Sequence, residues 1–401
     1  MFALSLLAVL GPMTTDLYLP AFPRIAADLH ASPAEIQWSL SVTLVGVAVG
    51  QLLFGPISDS VGRRRPLLCA AMIHVAASAA IAVTSSVAGL LVWRLLQGLG
   101  AAGVSVLTLA IARDLFEGRR LVRVLAHLGL LSGLAPVAAP VLGSLLLNAL
   151  DWRGVFLVLA GYGLLAMAGY AAALPETATG AGARPAAVKD RYRAVVTDRA
   201  LLGAAVIGAT MAAGVFAYVS ASSFVYQGTF GFSANVYALV FAVNAAAFAL
   251  GSPAAAWALK RLSPQVLLRW ALGAAFVAAV VLTTSAVLHA GAVGLTFAFF
   301  GFLLAAGICM PTIQIVALEQ HAMQSGTAAS IFGFINFGFA SIISPLSGVG
   351  GDRILTLGVL LAALGCAATL SLELLVRPEL KGRAHAAAGG PSPSLEGHER
   401  V

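Results

Sequence analysis

The chain has 401 residues, of which 60% are hydrophobic and only 10% are charged. An ordinary soluble domain is about 45–50% apolar and about 25% charged, so this composition excludes a water-soluble globular enzyme. The formal net charge of +7 does not indicate nucleic-acid binding, because the basic residues are scattered in small clusters between apolar runs instead of gathering on one face.

Windows of about 19 residues predict twelve membrane-spanning helices, and therefore an all-α membrane protein. The first span starts almost at Met1 and lacks the positive flank of a signal peptide, so we interpret it as a retained span. Its very short start is also compatible with a natural N-terminus further upstream. In chain order the predicted spans cover residues 2–22, 36–57, 66–86, 88–112, 122–147, 154–174, 200–224, 234–258, 265–288, 293–316, 324–347 and 354–376.

The basic residues are divided unequally between the two sets of connections. Of the 23 lysines and arginines, one set of connections and the C-terminal tail hold nearly all, in clusters at 63–65, 113–123, 184–199, 260–269 and 377–400. The other set holds only Arg24, Arg153 and Arg353. Because basic residues remain on the cytoplasmic side, this bias predicts a multi-pass membrane protein with both termini in the cytoplasm.

The longest polar interruption lies between the sixth and seventh spans and divides the chain into two halves. We expect an N-terminal six-helix bundle at 1–174, a cytoplasmic linker at 175–199, a C-terminal six-helix bundle at 200–377 and a disordered cytoplasmic tail at 378–401. The halves resemble each other, since FGPISDSVGRRRP after span 2 has a weak counterpart, LGSPAAAWALKRLSP, after span 8. Parallel repeats of this kind are typical of secondary transporters.

Several motifs carry a resemblance to a known family. The segment GPISDSVGRRRP at 55–66 resembles the loop between spans 2 and 3 of the major facilitator superfamily, and RLLQGLGAA in span 4 and the paired prolines of span 5 agree with it. The segment TTDLYLPAFP in span 1, with WR at 152–153 and LPET at 174–177, is similar to the Bcr/CflA subfamily of bacterial drug:proton antiporters.

This resemblance implies a fold of two pseudo-symmetric six-helix bundles in a bacterial cytoplasmic (inner) membrane. It also implies export of small amphipathic drugs, such as phenicols and bicyclomycin-like antibiotics, in exchange for protons by alternating access. A proton-coupled exporter of an endogenous metabolite or amino acid is the alternative within this class. A transporter-like receptor that binds its ligand without moving it is the alternative from a different class.

Span 5 of exporters in this superfamily carries an antiporter motif that ends in Gly-Pro-x-x-Gly-Gly. This chain has Ala-Pro-Val-Leu-Gly-Ser at 139–144, so two glycines are replaced by other small residues. Pro136, Pro140 and Gly143 preserve the bend and the close helix packing that the motif provides. Ordinary packing between membrane helices would explain the same residues.

Two ionisable residues, Asp16 in span 1 and Arg94 in span 4, lie inside predicted spans. An ionised side chain in the bilayer core costs at least about 2.5–3.5 kcal/mol on insertion scales, so it normally faces a cavity. At about 1.5 Å per residue, both lie at a similar depth and can share one cavity. By resemblance we expect them to couple protons to substrate. The alternatives are that Asp16 caps the bent end of span 1 and that Arg94 is an anchor bonded to backbone carbonyls.

The loop after span 2 carries one acid, Asp59, beside a basic cluster. By resemblance, Asp59 pairs with a span 4 arginine and with the positive N-terminal end of span 11 near Ser325, which latches the two halves in the outward-open state. The alternative is that the basic cluster only holds the loop on the cytoplasmic side. The residues expected in this latch are Gly55, Asp59, Gly62, Arg63, Arg64 and Arg113.

A cavity for varied drugs should be apolar and aromatic with a few polar groups. Periodicity alone does not separate a cavity face from a packing face, but an amide facing lipid is costly, which favours the two asparagines. The residues expected to line the cavity are Tyr18, Gln97, Phe216, Ser220, Phe241, Asn244, Phe332 and Asn336.

The remaining signals favour structural roles. The segment GLGAAG at 98–103 matches a dinucleotide-binding pattern but lies inside span 4 and follows no strand, so it predicts helix packing. His74 and His127 lack the spacing of metal ligands, and we expect both to be hydrogen-bonded structural residues. No hydrolase or ATP-binding motif is present, so we expect no cofactor other than a proton gradient and no metal. The expected partners are drugs, protons and the lipid bilayer, and we expect a monomer.

Overall fold

The computed structural model describes residues 1–173, 176, 199–318, 325–348 and 353–376. It confirms an all-α fold with twelve helices that are long and apolar enough to cross a membrane. Most of the observed ends lie within a few residues of the predicted ones. The spans, numbered 1 to 12 in chain order, are Phe2–Asp28, Pro33–Val61, Arg64–Ala82, Val87–Leu115, Gly118–Leu146, Trp152–Ala173, Leu201–Thr229, Ala234–Ala258, Pro264–Val287, Gly291–Val316, Ser330–Gly348 and Arg353–Val376.

Local sequence sets the ends of span 2. The Ser32 hydroxyl accepts a hydrogen bond from the Glu35 backbone N–H, and the Glu35 carboxylate accepts one from the Ser32 backbone N–H. This capping box satisfies backbone donors that have no partner inside the helix. The span ends at Val61 and is followed by Gly62, whose φ of 91° lies in the left-handed region that side chains disfavour.

Span 1 is longer than predicted and is broken in the middle. Its α-helix ends at Asp16, a short 3-10 turn covers Leu19–Ala21, and a second α-helix covers Phe22–Asp28. Pro20 and Pro23 provide the reason, because proline lacks the N–H that a continuing helix needs but fits the first turn of a new one. The predicted end of this span near residue 22 was therefore wrong, and Asp16 lies at a helix terminus instead of inside a helix.

The packing of the helices repeats between the halves. Span 4 packs against spans 1, 2 and 3, and span 10 packs in the same way against spans 7, 8 and 9. Spans 3 and 6 pack together, as do spans 9 and 12. Between the halves, span 2 packs against span 11 and span 5 against span 8. Each of these contacts has an equivalent six spans further along the chain, with span 12 followed again by span 1, as expected for two pseudo-symmetric bundles.

The two halves are joined by hydrogen bonds near one end of the bundle, which we name the closed end. Ser223 of span 7 donates to the Leu19 carbonyl at 2.7 Å, and Gln227 donates to the Pro20 carbonyl at 3.2 Å. Ser41 of span 2 and Ser344 of span 11 share a hydrogen bond of 3.0 Å. The opposite end carries the loop at 62–65 and is named the loop end. The described structure is therefore tied together at one of its two ends.

Candidate functional site

A ring of buried polar side chains joins spans 1, 3 and 4 within the N-terminal half. Its five members are all at most 1% exposed. Membrane interiors offer no water to unpaired polar groups, so such groups must bond to one another. The members are Thr14, His74, Ser78, Arg94 and Gln97.

Hydrogen bonds close this ring. Arg94 donates from Nη1 to the Thr14 carbonyl at 2.9 Å and to Gln97 Oε1 at 2.5 Å. Gln97 Nε2 donates to the Ser78 hydroxyl at 2.7 Å, and Ser78 donates to the His74 carbonyl at 2.7 Å. His74 Nε2 and the Thr14 hydroxyl share a bond of 2.8 Å. The expectation that His74 is a hydrogen-bonded structural residue agrees with this geometry, and His127 likewise bonds Ser5 at 3.2 Å.

Arg94 and Asp16 are both buried, but the structure does not pair them directly. The guanidinium of Arg94 lies over the Tyr18 ring at 4.0 Å and bonds a carbonyl of span 1, while no ion pair joins it to the Asp16 carboxylate. This is the geometry of the anchor considered as an alternative from the sequence. Nε and Nη2 of Arg94 find no partner among the described residues, so part of its hydrogen-bonding capacity is free.

Asp16 lies at the point where the first helix of span 1 ends. It is 5% exposed and is the only buried acid in the part of the chain whose side chains the structure describes. Thr14, two residues earlier, is bonded by Arg94, and Leu19, three residues later, accepts a bond from Ser223 of the other half. Asp16 therefore lies between the buried ring and the closed end.

The span 5 motif contacts span 1 directly after Asp16. Pro136 and Pro140 lie within the continuous helix Gly118–Leu146. A Cβ atom on Gly143 would overlap the Leu17 carbonyl oxygen. Only glycine permits this approach of the two backbones, as the resemblance to a close-packing motif implies.

The loop between spans 2 and 3 forms a charged cluster at the loop end. Arg63 donates to Asp59 at 2.5 Å, to Asp114 at the end of span 4 at 3.0 Å, and to the Ser58 hydroxyl at 2.6 Å. Partial burial lowers the pKa of Arg63, but its bonds to Asp59 and Asp114 outweigh this effect and raise the pKa above its usual value. Arg63 is thus held as a cation between span 2 and span 4.

The expected pairing of Asp59 with a span 4 arginine is not what the structure shows. Asp59 pairs with Arg63, four residues away, and Arg113 is not its partner. The acid of span 4 that joins the cluster is Asp114. The side chains around Ser325, the other expected partner, lie outside the described residues. A Cβ atom on Gly55 would meet no described atom within 4 Å, so the place of Gly55 in the latch stays a prediction.

Glu176 completes this cluster, and sequence reasoning missed it. Its carboxylate accepts hydrogen bonds from the backbone N–H groups of Arg63 and Arg64 at 2.7 and 3.1 Å, while Arg64 Nη2 donates to the Ala171 carbonyl at 3.0 Å. A Cβ on Gly62 would overlap the Glu176 carboxylate. The LPET segment at 174–177 was the available signal, because it supplies an acid at the end of span 6.

The eight residues expected in a cavity fall into two groups. Tyr18 and Gln97 are buried. The Tyr18 hydroxyl bonds Ser39 and the Gln97 amide bonds Ser78, so this conformation does not offer either side chain to a substrate. Phe241 is also buried and stacks on Tyr218 at 5.5 Å. Phe216 is partly exposed and contacts Phe337.

The other expected cavity residues supply unpaired polar atoms. Ser220 Oγ, Asn244 Oδ1 and Asn336 Oδ1 are buried with no partner among the described residues, although Asn244 Nδ2 donates to Tyr218. Phe332 and Asn336 lie one turn apart on span 11 and both contact span 7 near Gly208. The second half therefore presents apolar rings together with unused hydrogen-bonding capacity.

Twelve membrane-spanning helices in two matching halves, with buried polar groups in each, define a membrane transporter built from two six-helix bundles. The family model of the Major Facilitator Superfamily matches residues 4–345. The chain belongs to this superfamily, and it is a transporter and not an enzyme.

Several relatives are similar over nearly the whole chain. The chain is 34% identical to an uncharacterized MFS-type transporter, YdgK, of Bacillus subtilis, over 90% of this chain and 91% of the relative. It is 28% identical to the bicyclomycin resistance protein homolog of Haemophilus influenzae, over 92% and 93% respectively. It is 30% identical to the multidrug resistance protein MdtL of Vibrio parahaemolyticus, again over 92% and 93%. These relatives confirm the predicted resemblance to drug-resistance transporters.

Solved structures confirm the fold. The xylose transporter XylE from E. coli, in a partially occluded inward open conformation, aligns with a TM-score of 0.73 at 14% identity, over 94% of this chain and 97% of that one. A bacterial homolog of the human lysosomal transporter Spinster, in an inward-facing conformation, aligns with a TM-score of 0.73 at 15% identity, over 94% and 97%.

Proposed function

We propose that the protein exports small amphipathic drugs in exchange for protons, with Asp16 as the residue that takes up and releases the proton. One observation carries this proposal: Asp16 is buried at a helix end between the buried ring and the closed end, without an ion-pair partner among the described residues. An acid buried inside a membrane span lowers stability, so the acids that proteins keep there usually have a function. The relatives of this chain that are named for drug resistance support the proposed substrate class.

The position of Asp16 explains how protonation and conformation would be linked. Leu19, three residues after it, accepts the hydrogen bond from Ser223 that helps hold the closed end. A change in charge at Asp16 alters the interactions of this short broken segment. Proton binding would then favour one of the two arrangements of the halves, which is what exchange transport by alternating access requires.

We assign the loop end to the cytoplasm. The basic residues 63–65 and 113–123 lie at this end, and basic residues remain on the cytoplasmic side. The closed end would then face the periplasm, and we propose an inward-facing state in the inner membrane with cytoplasmic termini. The Asp59, Arg63 and Asp114 cluster would latch the loop end in the other state.

The substrate would bind between the halves on the side of span 7 and span 11. Phe216 is partly exposed there, and the buried unpaired oxygens of Ser220, Asn244 and Asn336, together with the ring of Phe332, would become accessible when the halves rearrange. Such a surface suits neutral or weakly charged amphipathic molecules of the phenicol or bicyclomycin kind. Each chain contains both halves, so we propose that a monomer carries out the transport cycle.

Inside-out membrane vesicles with a respiration-generated proton gradient test the proposal. A pH-sensitive dye reports proton release from the vesicles when chloramphenicol or another drug of a small panel is added. Drug-dependent dequenching is expected for the parent and for Asp151→Asn, a change in an exposed connecting residue, and loss is expected for Asp16→Asn. Dequenching that persists in Asp16→Asn would remove Asp16 from the coupling role, and no response to any drug would contradict drug–proton exchange.

A further inference from the structure

We infer that His74 is a positioning residue for Asp16, acting through Thr14 as a neutral imidazole with its proton on Nε2. This inference rests on the proposed proton coupling. It assigns a role to a buried titratable side chain that the transport proposal does not otherwise use. His74 belongs to span 3 and does not contact Asp16, so its effect passes through span 1.

The direction of the hydrogen bonds fixes the form of the imidazole. The Thr14 hydroxyl donates its only proton to the Leu10 carbonyl at 2.6 Å. The bond of 2.8 Å between Thr14 Oγ1 and His74 Nε2 therefore has to be donated by the imidazole. The proton is on Nε2, and His74 Nδ1 is left as an acceptor.

The surroundings of Nδ1 keep the imidazole neutral. Nδ1 is buried and has no partner among the described residues. It points at Gly163 of span 6, where a Cβ would come within 3.0 Å of it. A second proton on the imidazole, placed on Nδ1, would meet no acceptor among the described residues. It would also add a positive charge to the buried ring, which already contains Arg94. His74 thus serves as a hydrogen-bond donor and not as a carrier of protons.

Two glycines make room for this donor. A Cβ on Gly100 of span 4 would come within 2.7 Å of the His74 backbone N, and a Cβ on Gly163 of span 6 would come within 3.0 Å of the imidazole Nδ1. Gly100 therefore lets span 4 pack closely against the backbone of span 3, and Gly163 leaves the space that the imidazole occupies.

Thr14 is consequently held from two directions. His74 of span 3 holds its hydroxyl, and Arg94 of span 4 holds its carbonyl. Thr14 lies in the last turn of the helix that ends at Asp16. Releasing its hydroxyl would let this turn move relative to the charged and titratable groups that face Asp16, which are Arg94 of span 4, Tyr18 of span 1 and Tyr237 of span 8. Such a movement changes the proton affinity of the carboxylate.

Four variants test this positioning role in proteoliposomes. Thr14→Val and His74→Met remove the bond between the Thr14 hydroxyl and the His74 imidazole with little change in side-chain size. Thr14→Ser retains the acceptor of this bond, and His74→Gln retains a donor. The readout is the pH at which drug-dependent proton flux is half-maximal. We expect Thr14→Val and His74→Met to move this pH by about 0.5–1 unit, the size of one net hydrogen bond, and the conservative pair to leave it unchanged.

A double-variant comparison and a spectroscopic measurement complete the test. Thr14→Val removes the bond to His74 and also the bond from the Thr14 hydroxyl to the Leu10 carbonyl, whereas His74→Met removes only the former. The combined Thr14→Val and His74→Met variant should therefore move the pH no further than Thr14→Val alone. In histidine-selective 15N NMR of the purified protein, His74 should show a protonated Nε2 and an unprotonated Nδ1, whether or not transport is proton-coupled. An unchanged pH profile in folded single variants, additive shifts, or the opposite tautomer would overturn the inference. Loss of all drug-dependent proton flux in the parent would instead contradict the proposed function.

Discussion

At the scale of single residues, the two buried charges of the N-terminal half have different surroundings. Arg94 is bonded to a backbone carbonyl and an amide oxygen and lies over an aromatic ring. Asp16 forms no ion pair with any residue that the structure describes, and it lies where a helix ends. The first arrangement is typical of an anchor, and the second leaves a carboxylate able to change its protonation state.

The guanidinium shape of Arg94 is what the ring requires, so Arg94→Lys should destabilise the protein. A lysine cannot stack its head group over Tyr18 and reach both acceptors with the same fixed geometry. The expected loss is about 2–4 kcal/mol, from a charged hydrogen bond and a cation–π contact. Thermal unfolding in detergent measures it, and Arg65→Lys, at an exposed arginine, is the matched control. Equal midpoints for the two variants would contradict the anchor role.

At the scale of helices, the contact between spans 1 and 5 depends on one missing side chain. Gly143→Ala places a Cβ on the Leu17 carbonyl oxygen, and neither backbone atom can move away cheaply. We expect this variant to displace the segment after Asp16 and to abolish transport. Gly129→Ala in the same helix is the control, because a Cβ there would meet no described atom within 4 Å and alanine favours helix formation. Retained transport in Gly143→Ala would show that the close approach is not required.

Hydropathy predicted the spans well because the apolar run that each span needs is a local property of the sequence. The bend of span 1 entered the sequence analysis only as an alternative role for Asp16. The second helix to Asp28 was not predicted, because Pro20 lies close to the predicted end of the span and Pro23 lies beyond it. The pairing of Asp59 with Arg63 was not available from helical spacing, because span 2 ends at Val61 and Arg63 follows the turn at Gly62. By contrast, counting residues along the spans predicted a similar depth in the membrane for Asp16 and Arg94. It contained no information on the direction of their side chains. Their separation, like the closure of the buried ring through His74, depends on how three spans pack.

At the scale of the whole molecule, the closed end contains an unfavourable contact. Gln37 of span 2 is fully buried against Gly348 of span 11, and neither of its amide atoms has a partner among the described residues. Each unpaired buried group costs about 1–3 kcal/mol. Opening this end would expose the amide to water, so Gln37 favours opening while the bond between Ser41 and Ser344 opposes it.

These opposing contributions predict opposite effects of two variants on the conformational equilibrium. Gln37→Leu should stabilise the closed end and increase its population about fivefold or more, whereas Ser41→Ala should decrease it. Spin labels at Ala149 and Val236, which lie on opposite halves and are exposed, would report the distance across this end after replacement of the exposed Cys69 and Cys366. A shift towards the open distance in Gln37→Leu would contradict the prediction.

The central claim, exchange of drug for protons through Asp16, is tested most directly with purified protein in liposomes. With an acidic interior, the parent should accumulate radiolabelled chloramphenicol against its gradient while protons leave. Asp16→Asn should lose this accumulation yet still exchange labelled for unlabelled drug, because exchange needs the cavity and the movement of the halves but not the proton. Accumulation driven by an acidic exterior, or undiminished accumulation by Asp16→Asn, would contradict the account.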